Sequence, residues 1–293
     1  MLLFKNLDLE SKSVFEKYTK YKYENSETSF ANIFIWKDYF DVRYAEIDGY
    51  LVVLYTDTSG RYNAYMPYGS GDFEACIDTM MKYFSSCGQT FRIISASFEM
   101  TEELKRLYPD IKIRENIDFN DYVYTSESLI SLSGKKLHSK RNHLNSFKNN
   151  YDYEYRKMSE ADFDSCLSLA SELMLKTRDR DSLSYKAELK SLENMFSHFF
   201  ELEVLGGVIV IDNRIAAFSV GEKLTDNCAL IHIEKADTSY SGIYAAVNNE
   251  FVKNEWSSFE YINREEDMGV EGLRKAKLSY RPHHMIRKYI CEI

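Results

Sequence analysis

The chain has 293 residues, of which 44% are hydrophobic, and its formal net charge is -9. This length suits two domains of roughly 140 residues each, and the acidic balance argues against a surface coated in positive charge for nucleic acid. The longest strongly apolar, uncharged run, 204–211, is far shorter than the ~20 residues of a membrane-spanning helix. The five cysteines are widely scattered and lack zinc-site spacing, so we expect no metal and a reduced, cytoplasmic setting.

The first half predicts a mixed domain of helices and strands. Asp8 can cap a helix that runs to about Tyr21, and 29–40 has the pattern of a second, more buried helix. Asp48-Gly49, between two alternating apolar segments, is a strong signal for a two-residue hairpin. Beyond it, the pattern predicts helices at 73–88 and 101–108 and strands at 91–97, 111–116 and 121–125.

The second half has a more regular succession of elements. A polar helix at 134–149 precedes segments at 153–158, 160–177, 184–200, 203–212, 214–224, 228–236, 242–256, 259–263, 270–278 and 284–290. These segments read as a strand, two helices, three antiparallel strands, and then helix, strand, helix, strand, an order typical of the N-acetyltransferase-like (GNAT) fold. We therefore predict an α+β protein of two tandem GNAT-like domains, 1–132 and 133–293, with mixed, mainly antiparallel sheets. The second domain would begin with the basic helix.

The first of two basic islands lies in the polar helix. The stretch 128–151 contains no Asp or Glu, and Lys136, Lys140 and His143 recur there at helical spacing. Cations on one helical stripe repel each other unless an anion or carboxylates lie opposite. A solvated helix usually alternates charge sign, so a binding face and a solvated face are equally good interpretations of this stripe.

The second island lies in the last strand–turn–helix segment. Its candidate functional residues are Asn263, Arg264, Glu265, Glu266, Arg274 and Lys277. A strand end followed by a turn and a helix start commonly presents ligand-facing groups. In the structural interpretation, Asp267 caps the helix and Glu271 pairs with Lys275. The segment therefore predicts either a pocket for an anion or a salt-bridged surface.

The start of the helix at 242–256 bears on acyl-CoA binding. GNAT enzymes that use acetyl-CoA hold its pyrophosphate on backbone N–H groups at this helix start. The usual sequence there is Gln or Arg, two residues, Gly, any residue, and then Gly or Ala. Here Ser239, Gly242 and Tyr244 occupy the three defined positions, so only the glycine is kept and acyl-CoA is disfavoured. Gly242, Tyr244 and Arg178 (in the mixed-charge loop 176–181) remain candidate substrate contacts.

The chain has no nucleophile signature, so we expect direct attack on an activated acyl group.

Two segments together resemble a known family. DYVYTSESLISLSGKKLHSKRNHLNSF at 121–147 and YINREEDMGVEGLRKAKLSYRP at 261–282 are similar to the C-terminal-domain family of phosphatidylglycerol lysyltransferase. The resemblance covers essentially the whole chain. It implies two tandem GNAT-like domains, shared with the Fem-type peptidoglycan aminoacyltransferases. It also implies transfer of an aminoacyl group from aminoacyl-tRNA to an acceptor, a lipid in the namesake enzymes, whose membrane-spanning half has no counterpart in this sequence.

Under this resemblance the candidate residues take chemical roles. Glu265 or Glu266 can accept the proton of an incoming amine or hydroxyl. Arg264, Arg274 or Lys277 can bind phosphate or stabilise the developing oxyanion.

The basic helix would then contact the partner. Lys136, Lys140 and Arg141 can bind a tRNA backbone or an anionic lipid headgroup. We expect aminoacyl-tRNA as co-substrate, a lipid or other small acceptor, and no further cofactor. Two alternatives stay open: an acyl-CoA N-acyltransferase, and a non-catalytic protein that binds an anionic ligand. Attachment to the periphery of a membrane is open as well.

Overall fold

The computed structural model describes residues 4–20 and 22–293. The strands are β1 (Lys5–Asn6), β2 (Arg43–Ile47), β3 (Tyr50–Thr56), β4 (Tyr62–Ala64), β5 (Tyr68–Gly69), β6 (Arg92–Ala96), β7 (Lys112–Glu115), β8 (Asp121–Thr125), β9 (Glu154–Lys157), β10 (Leu205–Ile211), β11 (Arg214–Lys223), β12 (Cys228–Ala236), β13 (Tyr261–Asn263), β14 (His284–Ile286) and β15 (Tyr289–Glu292). The α-helices are α1 (Lys12–Thr19), α2 (Phe30–Ile35), α3 (Lys37–Phe40), α4 (Phe73–Ser86), α5 (Phe98–Leu107), α6 (Ser126–Ser131), α7 (His138–Asn150), α8 (Phe163–Leu175), α9 (Leu183–Ser197), α10 (Ile243–Glu255) and α11 (Glu271–Ser279). In this part of the chain no helix has the length and apolar character needed to cross a bilayer.

The described residues form two compact units. Unit 1 contains the chain up to Asp121 together with Glu266–Gly269 and Ile286–Ile293, and unit 2 contains Tyr122–Glu265 and Val270–Met285. This division differs from the predicted boundary at 132/133. The physical reason is strand pairing: β8 pairs with β13 in the sheet of unit 2, and β15 returns to the sheet of unit 1.

Unit 1 is built on a sheet of order β1-β2-β3-β4-β6-β15-β7, with β5 beside β3. The predicted hairpin at Asp48-Gly49 is confirmed: both residues have positive φ, 48° and 88°, as a tight turn between twisted strands requires. The segment 29–40 is two helices rather than the single predicted one, because α2 stops at Trp36. The predicted end of the first helix at Tyr21 lies outside the described residues.

Unit 2 is built on a sheet of order β14-β8-β13-β12-β11-β10-β9. The pairs β9–β10, β10–β11, β11–β12 and β8–β13 are antiparallel. Strands β12 and β13 run parallel through three residue pairs, ending at Leu230 and Asn263. Beyond that point β12 continues to Ala236, while the chain leaves β13 in a turn. The separation of the two strands puts the residues after Asn263 beside the second half of β12, where the candidate site lies.

The core of unit 2 forms where α10 packs against the sheet and against α7. Its large side chains include Phe147, Phe251 and Trp256, each at most 2% exposed. Burying side chains of this kind stabilises a fold by roughly 1.5–3 kcal/mol each. The core therefore fixes α10 and the strands beneath it, which carry the candidate site.

Three local predictions are wrong. The basic α-helix begins at His138 after a short 3-10 turn, Lys135–Leu137, so Lys136 does not continue the stripe of α7. The predicted last strand, 284–290, is two strands, because β14 and β15 pair in different sheets. Asp267 does not cap α11, whose N-cap is Val270; the Asp267 carboxylate instead accepts the N–H of Gly269 at 2.9 Å.

Candidate functional site

Arg264 directly follows β13 and turns its guanidinium inward. Its side chain is 12% exposed, and Nη2 donates to Oε2 of Glu234 on β12. The guanidinium carbon lies 4.9 Å from the ring centre of Tyr280 and 5.6 Å from that of Tyr124. Burial alone would lower the pKa of Arg264, but Glu234 and the two phenols outweigh it and raise the pKa. The group is therefore a permanent buried cation.

The pairing with Glu234 leaves Arg264 incompletely satisfied. Its Nε and Nη1 atoms are buried and have no hydrogen-bond partner. The other oxygen of Glu234, Oε1, accepts from Asn248 Nδ2 of α10 at 2.9 Å. Asn248 is 1% exposed, and its Oδ1 is likewise buried without a partner. Unsatisfied buried polar groups are uncommon and often mark functional positions.

Lys140 adds a second positive charge to this cluster. Its Nζ lies 4.4 Å from the ring centre of Tyr280, the ring that also contacts Arg264. Burial, and then the charge of Arg264, lower the pKa of Lys140. No carboxylate pairs with Lys140 among residues 4–20 and 22–293. The cluster therefore contains two cations, Arg264 and Lys140, and one carboxylate, Glu234, which pairs with Arg264 and leaves a surplus positive charge.

His232 lies in the same strand, at a β-bulge. Val220 pairs with Ile233 and Gly221 with Ile231, so His232 is the extra residue. Its Nδ1 is 2.8 Å from Oε1 of Glu265 and its Nε2 is 3.0 Å from Oε1 of Glu222, and the side chain is 1% exposed. Burial alone would lower the pKa of His232, but the two hydrogen bonds raise it to about 10. The ring is therefore an imidazolium that donates to two carboxylates at neutral pH.

The turn that carries Arg264 and Glu265 is held from both sides. Asn263 is completely buried, and its Oδ1 accepts the N–H of Glu265 at 2.7 Å, which fixes Glu265 at a positive φ of 56°. Lys277 is 7% exposed, and its Nζ donates to the main-chain oxygens of Arg264 at 2.6 Å and Glu265 at 3.0 Å. These bonds give Asn263 and Lys277 a structural task in the turn. For Lys277 this differs from the predicted contact with an anion.

The remaining predicted residues of this segment have different surroundings. Glu266 belongs to unit 1, where burial raises the pKa of Tyr55 and the charge of Glu266 adds to that rise. Arg274 is half-buried on α11. The structural interpretation of Glu271 and Lys275 is confirmed, because their side chains pair at 2.6 Å while both are largely exposed.

The predicted basic residues around α7 divide in a similar way. Lys136 is exposed on the short turn before the helix. Arg141 donates from Nη1 to the main-chain oxygens of Leu132 at 2.5 Å and Gly134 at 3.4 Å, which ties the start of α7 to the preceding loop. Of the three predicted cations, only Lys140 lies against the Arg264 cluster.

Arg178 makes an ion pair with Glu188 of α9, and the other oxygen of Glu188 accepts from Lys235 of β12. This carboxylate therefore ties the loop before α9 to the sheet.

Gly242, at the start of α10, has a packing role. It adopts a φ of 86°, and a Cβ there would lie 2.3 Å from the main-chain oxygen of His143 on α7. The helix start is therefore in close contact with another helix, where a GNAT pyrophosphate site requires open backbone N–H groups. Tyr244 is 44% exposed.

Sequence reasoning missed four members of the cluster: Tyr124, Glu234, Asn248 and His232. Each stands in a strand or helix whose pattern is explained by burial alone. The available signal was that His232 and Glu234 are polar residues two positions apart in a strand whose first half is apolar. No group of His, Cys, Asp and Glu in the described part of the chain has an arrangement that could hold a metal ion.

The fold defines the structural class of the protein. A tandem GNAT protein from the clavulanic acid biosynthesis pathway aligns with a TM-score of 0.51 over 83% of this chain and 79% of that one, at 10% identity. FemX aligns with a TM-score of 0.61 over 99% and 97% of the two chains, at 7% identity. These likenesses confirm the predicted α+β class and GNAT-like fold.

The family follows from the sequence itself. Residues 18–292 match the family described as "Phosphatidylglycerol lysyltransferase, C-terminal", and the chain belongs to this family. L-PGS from Bacillus licheniformis has a TM-score of 0.68 over 100% of this chain and 94% of that one, at 13% identity. A conserved protein of unknown function from Bacteroides thetaiotaomicron is 32% identical over 100% of both chains, with a TM-score of 0.93.

Proposed function

We propose that the protein is an aminoacyltransferase that moves an aminoacyl group from aminoacyl-tRNA to an amine or hydroxyl acceptor. The observation that carries the proposal is the surplus positive charge around Arg264, whose Nε and Nη1 are buried and unpartnered. A site of this kind stabilises a group on which negative charge develops. Membership of the family and the likeness to L-PGS and FemX support the same reaction class.

The proposed reaction needs no covalent intermediate. The acceptor's nitrogen or oxygen attacks the carbonyl carbon of the aminoacyl ester, and its proton passes to the Glu265 carboxylate. The carbonyl oxygen becomes an oxyanion that accepts hydrogen bonds from Arg264. The bond between the carbonyl carbon and the ribose oxygen then breaks, and the ribose oxygen leaves with the proton from Glu265.

The other cations would hold the donor. Lys140 pairs with no carboxylate in the described part of the chain and is half-buried beside Tyr280, so a phosphate near the acylated end of the tRNA fits it. Lys136 is exposed and can contact the backbone further away. Such binding weakens as salt concentration rises. We propose the cytoplasm as the location, since aminoacyl-tRNA is formed there, and an anionic lipid as one acceptor class to test.

An acyl-CoA N-acyltransferase is the second candidate, because the fold is shared with a tandem GNAT protein. The close contact between Gly242 and the main-chain oxygen of His143 argues against a pyrophosphate site at the start of α10. Titration calorimetry with acetyl-CoA decides between the two. We expect no heat of binding, and a micromolar dissociation constant would favour the acyl-CoA enzyme.

The proposed function is tested with the full chain and a pool of aminoacyl-tRNAs. Transfer is measured as loss of aminoacyl-tRNA together with acceptor-dependent products identified by mass spectrometry, using lipid vesicles and soluble amines as acceptors. Arg264→Gln should lower the rate at least 100-fold, since removing one oxyanion donor costs about 10²–10³. The matched control is Lys275→Gln, an exposed cation paired only with exposed Glu271, which should retain activity. Absence of transfer with every acceptor, despite binding of the tRNA, would favour the non-catalytic alternative.

A further inference from the structure

Most of the unpartnered buried polar atoms of unit 2 belong to two residues that donate to the same carboxylate, Glu234. Among the described residues of this unit they are Asn248 Oδ1, Trp256 Nε1, Arg264 Nε and Arg264 Nη1. All except the Trp256 atom belong to the two residues that donate to Glu234. Asn248 and Arg264 come from different elements, α10 and the turn after β13, so their meeting at Glu234 depends on the tertiary fold.

Asn248 and Arg264 offer a ligand opposite hydrogen-bonding groups. Asn248 presents a free acceptor, its amide oxygen, because its Nδ2 is engaged with Glu234 at 2.9 Å. Arg264 presents free donors, because only its Nη2 is engaged with Glu234. A buried polar atom that stays unpaired carries the full cost of its desolvation. A group that completes the cluster supplies a donor for Asn248 and an acceptor for Arg264.

We propose that the Asn248–Glu234–Arg264 cluster recognises the free α-ammonium group and the carbonyl oxygen of the aminoacyl donor. The ammonium donates to Asn248 Oδ1 beside the negative Glu234, and the carbonyl oxygen accepts from Arg264. This inference rests on the proposed function and specifies which part of the substrate is read. A phosphate fits less well, since it has no donor for Asn248 and is repelled by Glu234.

Recognition of the free α-ammonium group predicts which donors the protein rejects. An α-amine that is already acylated has lost its charge and two of its three protons, and it brings added bulk into a buried site. The acylated nitrogen then brings no positive charge to Glu234, and the amide oxygen of Asn248 is harder to reach. The protein should therefore discriminate against N-acylated donors, whatever side chain the amino acid carries.

The test uses ligand pairs with the unmodified full chain. The probes are non-hydrolysable 3′-aminoacylamino-3′-deoxyadenosines that carry alanyl, seryl, lysyl or arginyl groups, each with its N-acetyl counterpart. We expect calorimetry to show that acetylation weakens binding of the preferred probe about tenfold or more. Equal affinities within the pairs would overturn the subsite while leaving the proposed function intact. Absence of binding by every probe, with no transfer from aminoacyl-tRNA, would overturn both.

A variant pair locates the effect. Asn248→Leu should reduce the ratio of affinities between free and acetylated probes towards one. Asn254→Leu is the control, because Asn254 lies on the same helix and its side chain bonds only to Glu250; it should keep the ratio. An unchanged ratio in Asn248→Leu would contradict the assignment. If that variant does not fold, the comparison of ligand pairs on the unmodified protein still decides.

Discussion

Lys288 and Asp121 form a buried ion pair, with Nζ of Lys288 2.7 Å from Oδ1 of Asp121 and side-chain exposures of 1% and 0%. A second carboxylate, Glu27, lies 2.7 Å from the same nitrogen. Burial would lower the pKa of Lys288, but Asp121 and Glu27 outweigh it and raise the pKa. The pair joins the segment before β15 to the end of the N-terminal part of unit 1.

Replacing this lysine should cost more than an ordinary surface change. Lys288→Met leaves two buried carboxylates without their cation, so we expect a loss of about 3–5 kcal/mol in the free energy of unfolding. Urea denaturation measures it. Arg287→Met is the matched control, because Arg287 is 66% exposed and its Nε lies as far as 3.9 Å from Oε1 of Glu115. This variant should change the free energy of unfolding by less than about 0.5 kcal/mol. Similar losses in the two variants would mean that the buried triad is not structural.

His232 predicts a pH dependence of stability. Its pKa is raised from 6.5 to about 10 in the folded chain. The folded state therefore holds a proton that the unfolded state releases near pH 6.5. The resulting stabilisation is fully present below pH 6.5 and is lost as pH rises towards 10, with a total on the order of 5 kcal/mol.

The measurement is the free energy of unfolding between pH 6 and pH 9, in the unmodified chain and in His232→Gln. The variant should show a flatter profile, and His143→Gln, which alters an exposed histidine of α7, should keep the original slope. Imidazole NMR provides a second test. A His232 ring that titrates near pH 6.5 in the folded protein would contradict the charged pair.

Lys277 should behave as a structural residue. Lys277→Met removes two hydrogen bonds to the main-chain oxygens of Arg264 and Glu265, so it should lower the melting temperature by several degrees. Lys275→Met, on the exposed face of the same helix, should have little effect. A stable Lys277→Met variant that had lost only its activity would restore the predicted contact with substrate.

Gly242 should not tolerate a side chain. An alanine Cβ would meet the main-chain oxygen of His143 at 2.3 Å, in a backbone conformation with positive φ. We expect Gly242→Ala to destabilise the protein by roughly 1–3 kcal/mol. In Gly272→Ala the new Cβ meets nothing within 4 Å, and helix propensity predicts a gain of up to about 1 kcal/mol. Thermal unfolding of both variants measures the difference, and a Gly242→Ala variant as stable as Gly272→Ala would contradict the prediction.

Much of the fold is predictable from local pattern. The Asp48-Gly49 hairpin, the three long strands of unit 2 and the helix α10 follow from periodicity and turn chemistry. The split of 284–290 into β14 and β15 does not, because it depends on which distant strands accept each half. Strand partners are set by tertiary packing, which a local pattern cannot encode.

The site was predictable in part for the same reason. Arg264 and Lys140 stand out as cations in polar segments, and both reach the cluster. Lys277 stands out equally, yet its ammonium group donates to the main-chain oxygen of Arg264 in the turn. Glu234 and Asn248 acquire significance only when β12 and α10 come together. A sequence pattern shows which charges exist, while the fold decides which of them remain unpaired.

The position of β15 between β6 and β7 has a consequence for synthesis on the ribosome. The nascent chain exposes β6 and β7 long before residues 289–292 emerge, and all of unit 2 is translated in the interval. Until then the edges of β6 and β7 that pair with β15 keep unpaired N–H and C=O groups, which can pair with strands of other chains. Unit 2 can therefore complete its sheet first, and an isolated fragment ending near residue 121 should aggregate rather than fold.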